Sequence, residues 1–168
     1  MRILGIDPGY ERLGIAVLDP VTHERRGEKQ HTVVFSKCFK TSAKLEFNER
    51  LKLIGEEVKK IIKKYKPEVL AIETLFLNTN HKTVMKVAEA RGVVIYEASC
   101  ARLEIFEASP PQIKIATTGY GKANKEQIIK MVKILVDMNN KISPLGRESD
   151  DELDAIAIAL TASACMRP

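Results

Sequence analysis

The sequence predicts an α/β fold, one mixed sheet with helices packed on both faces. Three observations carry this. The first 35 residues hold three short strand-like runs separated by turn residues. Four later stretches repeat apolar residues every three or four positions, the spacing of a helix face. A short, continuously apolar run lies between the first two of these stretches, as in a strand buried on both sides. The order βββαβαβ(α)αα calls for a single layered sheet.

Ile3 to Asp7 reads as a buried strand closed by the turn pair Pro8-Gly9. Leu13 to Leu18 resumes as its hairpin partner around the loop Asp7–Arg12. Asp19–Gln30 is polar and reads as a turn, and Thr32 to Phe35 as a third strand. A helix is predicted from Ala43 to Tyr65, with Leu51, Ile54, Val58, Ile61 and Tyr65 on one face. Lys59, Lys60, Lys63, Lys64 and Lys66 crowd its end as a solvated face that suits a helix C-terminus. Pro67 breaks it. Val69 to Ile72 is a central strand running into Glu73. A second helix spans Asn80 to Ala98, with Val84, Val87, Arg91, Val94 and Ala98 in line. Leu103 to Phe106 reads as an edge strand, Pro110-Pro111 opens a short helix to Thr117, and Gly119 and Gly121 mark a turn. Asn124 to Met138 is a third long helix. Ser149-Asp150-Asp151-Glu152 is a capping box for the last helix, whose stripe is Leu153, Ile156, Ala157, Leu160 and Ala164.

Composition bounds the function. The 168 residues suit one domain spanning 1–168, with no internal repeat or linker. A net charge of +5 permits a polyanionic partner without demanding one. The three cysteines, Cys38, Cys100 and Cys165, form no CxxC, so no zinc or redox motif is suggested. No stretch is apolar enough for a signal peptide or a membrane span, and a reducing cytoplasm is the expected compartment.

The informative residues are acids in apolar surroundings. Asp7 follows Ile3-Leu4-Gly5-Ile6, and Glu73 follows Val69-Leu70-Ala71-Ile72, so each stands at the end of an apolar strand, where sheet proteins place their chemistry. Asp154 interrupts LDAIAIAL beyond the first helical turn. A carboxylate in such a place is costly unless a cation is near. Asp7 could instead cap its turn, Glu73 could pair with a lysine, and Asp150, Asp151 and Glu152 could be first-turn acids facing the helix dipole. Both Asp150 and Asp151 share a helix face with Asp154, and spacing does not choose between them. Converging carboxylates suit Mg²⁺ or Mn²⁺ rather than Zn²⁺. Two such ions, about 4 Å apart, would activate water and stabilise the leaving oxygen in phosphodiester cleavage.

GIDPG with Gly14 five residues after its last glycine, then AIETLF, EARGVV and DELDAIAIAL, in this order and spacing, resemble the RuvC family of Holliday junction resolvases from Arg2 to about Ser163. The resemblance implies a ribonuclease-H-like fold with a mixed five-stranded sheet. It also implies a homodimer and an Mg²⁺-dependent endodeoxyribonuclease, with two ions per subunit and Mn²⁺ able to substitute. Such an enzyme resolves four-way DNA junctions by paired symmetric nicks in recombination and repair. By resemblance Asp7 and Glu73 match the first two family acids, and Asp151 with Asp154-Ala155 the last two. The third acid is His in some members. Phe76 matches a stacking wedge at the junction, and Lys114 and Lys125 match lysines that approach the phosphates. Asn80–Ala98 resembles the dimer helix, with Ala88, Ala90 and Gly92 allowing close approach. Partners expected by resemblance are junction DNA and the branch-migration proteins RuvA and RuvB. Tyr10 departs from the small residue common after the glycine. A sugar-kinase or actin-like ATPase, a monomeric nuclease of the same broad fold and a non-catalytic junction binder are the competing readings.

Overall fold

A computed structural model describes residues 1–20, 31–75, 81–138 and 149–166, with the backbone alone for 81 and 82. Eleven elements follow one another: β1 (Ile3–Asp7), β2 (Arg12–Pro20), β3 (His31–Lys40), α1 (Phe47–Tyr65), β4 (Val69–Glu73), α2 (His81–Cys100), β5 (Glu104–Ala108), α3 (Pro110–Thr118), α4 (Lys125–Leu135), β6 (Val136–Asp137) and α5 (Asp150–Cys165). The sheet order is β5-β4-β1-β2-β3-β6. β1, β2 and β3 form an antiparallel meander, while β4 joins β1 and β5 joins β4 in parallel.

The five expected strands are present, and among the described residues the sheet has one more. The third long helix was expected to run to Met138, but α4 stops at Leu135. Val136 and Asp137 become extended and pair with His31 and Thr32. Val136 is fully buried, and a β-branched residue there gains more from the sheet edge than from another helical turn. α1 begins at Phe47 rather than Ala43. The Glu46 amide donates to Glu49 Oε2 at 3.1 Å, which fixes the first turn four residues later than the apolar spacing suggests. β3 runs to Lys40, well beyond Phe35, which brings Cys38 and Ser36 into the sheet. The polar stretch expected as a turn lies, from 21 to 30, outside the described residues.

Strand alternation sorts the core into two layers. Leu4, Ile6, Leu70 and Ile72 face α1 and α2, joined by Ile54, Val58, Ala90 and Val94. Ile3, Val69 and Ala71 face the other way, onto α5, with Ile113 of α3 and Val132 of α4. Helices therefore cover both faces. Asp7 and Glu73 have the parity of Ile3 and Val69, so both point to the α5 side. No described helix is long and apolar enough to cross a membrane.

Two glycines let α5 press on the sheet. A Cβ on Gly5 would overlap the Ala155 carbonyl oxygen and lie 2.8 Å from the Ala159 Cβ. A Cβ on Gly14 would overlap the Asp151 carbonyl oxygen. Ala155, Ala157, Ala159 and Ala162 keep the helix slim where it is buried. The capping box is present: Ser149 accepts from the Glu152 amide, and Glu152 returns to the Ser149 backbone. The other Glu152 oxygen accepts from Ser36 Oγ at 2.6 Å, so this buried carboxylate also ties α5 to β3.

Candidate active site

The parallel register sets Ile6 beside Ile72, which leaves Asp7 and Glu73 neighbours at the ends of adjacent central strands. Asp154, one turn into α5, completes a group of three acids lining one open cavity of about 280 Å³. Lys114 of α3 and Lys125 of α4 line the same cavity, as do the apolar Pro110, Ile113, Ala123, Ile128 and Ile158. The lining thus combines three acids, an apolar set and two lysines.

The electrostatics follow from burial. Asp7 is pushed up to about 7, first by desolvation and then by Asp154, Glu73 and Asp151. Burial, and after it Asp154, raises Glu73 as well. Burial raises Asp154 against the opposing pull of Lys125. Three acids held above their ordinary range in one cavity call for positive charge. The donors are all carboxylate oxygens, which fits Mg²⁺ or Mn²⁺.

The chain's own cations already answer part of that call. Lys125 Nζ lies 3.1 Å from Asp154 Oδ2 and 3.3 Å from Asp150 Oδ2. Burial acts to lower the ammonium's pKa, but Asp154 and Asp150 outweigh it and hold the group charged. Lys125, expected to approach a phosphate, therefore rests on the acids themselves. Asp150 shares that lysine at the exposed start of α5.

Asp151 stands apart from the cavity-lining acids. Its Oδ2 accepts from Arg12 Nε at 2.9 Å, from Arg12 Nη2, and from Cys38 Sγ at 3.3 Å. Burial alone would raise its pKa, but the hydrogen bonds from Arg12 and Cys38 leave it lowered overall. Among the described residues no three histidine, cysteine or acidic side chains converge tightly enough to hold a metal ion as they are placed. Two of the acids are instead engaged with Lys125 and Arg12. Phe76 lies outside the described residues.

Three contributors escaped the sequence reading. Arg91, placed on an apolar line of α2, donates from Nε to the Glu73 carbonyl at 3.0 Å and pairs with Glu107. It fixes the strand end that carries Glu73. Arg12 and Cys38 are the other two. The hairpin register aligns Asp7 with Gly14, and Gly14 with Cys38, in one row across three strands. Asp151 sits over the gap in that row left by Gly14. The pairing of β2 with β3 carries this signal, and a third strand ending at Phe35 does not reach Cys38.

The profile of the family described as Crossover junction endodeoxyribonuclease RuvC matches residues 3–162. The crossover junction endodeoxyribonuclease RuvC of Halothermothrix orenii is 41% identical over 160 residues, covering 95% of this chain and 90% of that protein. The RuvC of Thermosipho melanesiensis is 40% identical over 159 residues, covering 95% and 94%. Among solved structures, Thermus thermophilus RuvC superposes with a TM-score of 0.81 at 29% identity, over 97% of this chain and 93% of that one. T. thermophilus RuvC in complex with Holliday junction substrate gives 0.82 at the same identity and coverage. The expected ribonuclease-H-like fold is the fold of these structures. With its profile matched over nearly its whole length and its fold shared end to end, the chain belongs to the RuvC family of crossover junction endodeoxyribonucleases.

Proposed function

We propose that this protein resolves four-way DNA junctions by metal-dependent phosphodiester hydrolysis, with Asp7, Glu73, Asp151 and Asp154 as the metal-binding acids. One observation carries the reading: three of these acids, drawn from two strands and a helix, line one cavity together with two lysines. An anionic pocket flanked by lysines suits a phosphate only when cations bridge the two. Family membership supports the substrate, since a relative of the same fold is solved with a Holliday junction. All described elements share one sheet and its two helical layers, which supports one nuclease domain over 1–168.

Two bound divalent ions would supply Lewis-acid activation of water and charge stabilisation at the departing oxygen. The chain does the rest. Asp7 and Glu73 offer oxygens from rigid strand ends, the second anchored by Arg91. Asp154 offers its carboxylate from α5, with Lys125 at hand to take a phosphate once it leaves the acid. Lys114 faces the cavity from α3 and orients the phosphate. Ile113, Ile128 and Ile158 keep one side of the cavity dry, which strengthens each charge interaction inside it.

A homodimer would set two such cavities about a two-fold axis, matching the symmetry of a four-way junction. The outward side of α2 suits that contact: Met85, Gly92 and Tyr96 are exposed, and nothing stands within 4 Å of a Cβ built on Gly92. Ala88 is half-buried, and Ala90 is fully buried in the protein's own core, so Ala90 is not part of that face. Junction DNA, RuvA and RuvB are the partners this reading expects, in a cytoplasmic setting.

The test is a cleavage assay on a synthetic four-way junction, a linear duplex and a single strand, with and without Mg²⁺. Paired symmetric nicks in the junction alone, dependent on Mg²⁺, are expected. Asp7→Asn should abolish cleavage while leaving junction binding largely intact. Normal cutting by that variant would refute the assignment of Asp7, and binding without any nicking would favour a non-catalytic junction binder.

A further inference from the structure

Arg12 has no part in the metal-binding set, yet it holds one member of it. Arg12 is the first residue of β2, with its side chain half exposed. Its guanidinium makes two bonds to Asp151 Oδ2, and the Cys38 thiol makes a third to the same oxygen. The backbone here has little freedom, because the Asp151 carbonyl lies directly against Gly14. The side chain can reorient while the main chain stays put. The orientation seen reaches Arg12 and Cys38, while the Asp151 charge still adds to the repulsion felt by Asp7 and Asp154. All three donors crowd the one oxygen Oδ2, and an oxygen so engaged has little to offer a cation, since each lone pair serves one partner at a time.

We propose that Arg12 is a positioning residue that competes with the divalent ion for Asp151, holding its carboxylate and yielding it when the ion binds. The inference rests on the reading of Asp151 as a metal-binding acid. It follows that Arg12 sets the metal affinity of the site that includes Asp151. Its exposure lets the freed guanidinium swing into solvent or toward a DNA phosphate without disturbing the core.

The experiment is a titration of metal-free protein with Mn²⁺, followed by electron paramagnetic resonance and by calorimetry. It needs no DNA and reads no activity. Arg12→Gln should bind Mn²⁺ about 1.4- to fivefold more tightly than the unaltered protein, the range spanned by an ion pair at this exposure. Arg12→Lys should tighten binding less, since a lysine keeps the charge but loses the two-nitrogen grip. In an Asp151→Asn background, Arg12→Gln should leave affinity unchanged. Unchanged or weaker binding by Arg12→Gln overturns the proposal. So does equal tightening with and without Asp151, which would mean a general field effect of the removed charge. If Asp151→Asn alone binds Mn²⁺ as the unaltered protein does, Asp151 is no ligand and the proposal falls with it. No Mn²⁺ binding by the unaltered protein refutes the nuclease reading itself, a result distinct from the others. Circular dichroism checks folding, and should Arg12→Gln misfold, the comparison of Arg12→Lys with the unaltered protein decides.

Discussion

Gly14 lies directly beneath Asp151: a Cβ built on the glycine would overlap the Asp151 carbonyl oxygen and come within 3.1 Å of the Asp7 Cβ. The overlap is with a backbone carbonyl and the tight contact is with a side chain at a strand end, so the carbonyl has to move. Gly14→Ala should therefore lift the start of α5 from the sheet. A loss of about 1–3 kcal/mol is expected from overpacking of this kind, together with weaker Mn²⁺ binding, because Asp151 and Asp154 ride on the displaced turn. Urea unfolding and the Mn²⁺ titration check the pair. Native stability in Gly14→Ala would contradict the tight contact.

The acid cluster predicts an unusual pH dependence for the metal-free protein. Asp7 titrates at about 7 when folded, against 3.8 for its ordinary value. Between these values the folded state binds the proton more tightly than the unfolded state does. Stability from this group is thus full below about pH 4 and is lost as pH rises through 7. Glu73 and Asp154 shift in the same direction, while Asp151, lowered by Arg12, opposes them. Each pKa unit is worth about 1.4 kcal/mol, so the fall amounts to a few kcal/mol. Thermal unfolding from pH 4.5 to 8 should show it. Saturating Mg²⁺ should raise Tm far more at pH 8 than at pH 5, and Asp7→Asn should flatten the metal-free profile. A metal-free protein most stable at pH 8 would contradict the burial of these acids.

Arg91 holds the strand end that carries Glu73, through its bond to the Glu73 carbonyl. Arg91→Met keeps much of the packing and removes the bond. Groups that orient a metal ligand typically cost about 10- to 100-fold in affinity or activity when removed, and a loss of this order in Mg²⁺-dependent junction cleavage is expected. Junction binding measured in Ca²⁺ should change little. Equal losses in both would place Arg91 in DNA binding instead.

Tyr65 stacks on Phe35 at a centroid distance of 5.0 Å, and its buried hydroxyl has no hydrogen-bond partner among the described residues. Removing an unsatisfied hydroxyl while keeping the ring should not destabilise the fold. Tyr65→Phe is expected to leave the urea midpoint unchanged or to raise stability by about 1 kcal/mol. A clear drop would mean that the hydroxyl has a partner after all.

Much of this molecule is legible along the chain, and the reason is local. Ile3–Ile6 and Val69–Ile72 are apolar on both faces, which marks them as buried strands, each ended by an acid; that the two acids share one end of the sheet follows from the parallel pairing of β1 with β4. Ser149 and Glu152 declare a helix start by hydrogen bonds that span three residues. Tyr65 and the stripe before it follow from helical spacing alone. Apolar spacing continues through Val136 and so predicts a longer α4, whereas the choice between another turn and a sheet edge depends on His31 and Thr32, more than a hundred residues away.

The sequence by itself determined the two layers of the core, the strand ends that bear Asp7 and Glu73, and the helix that bears Asp154. Only the tertiary structure decided what each charge meets. Asp151 turns to Arg12 and Cys38, Asp154 to Lys125, and Glu73 is steadied through its carbonyl by Arg91. Periodicity states which face a residue is on, but not which distant side chain shares that face. That second fact is set by strand register and by how closely α5 can approach over Gly5 and Gly14.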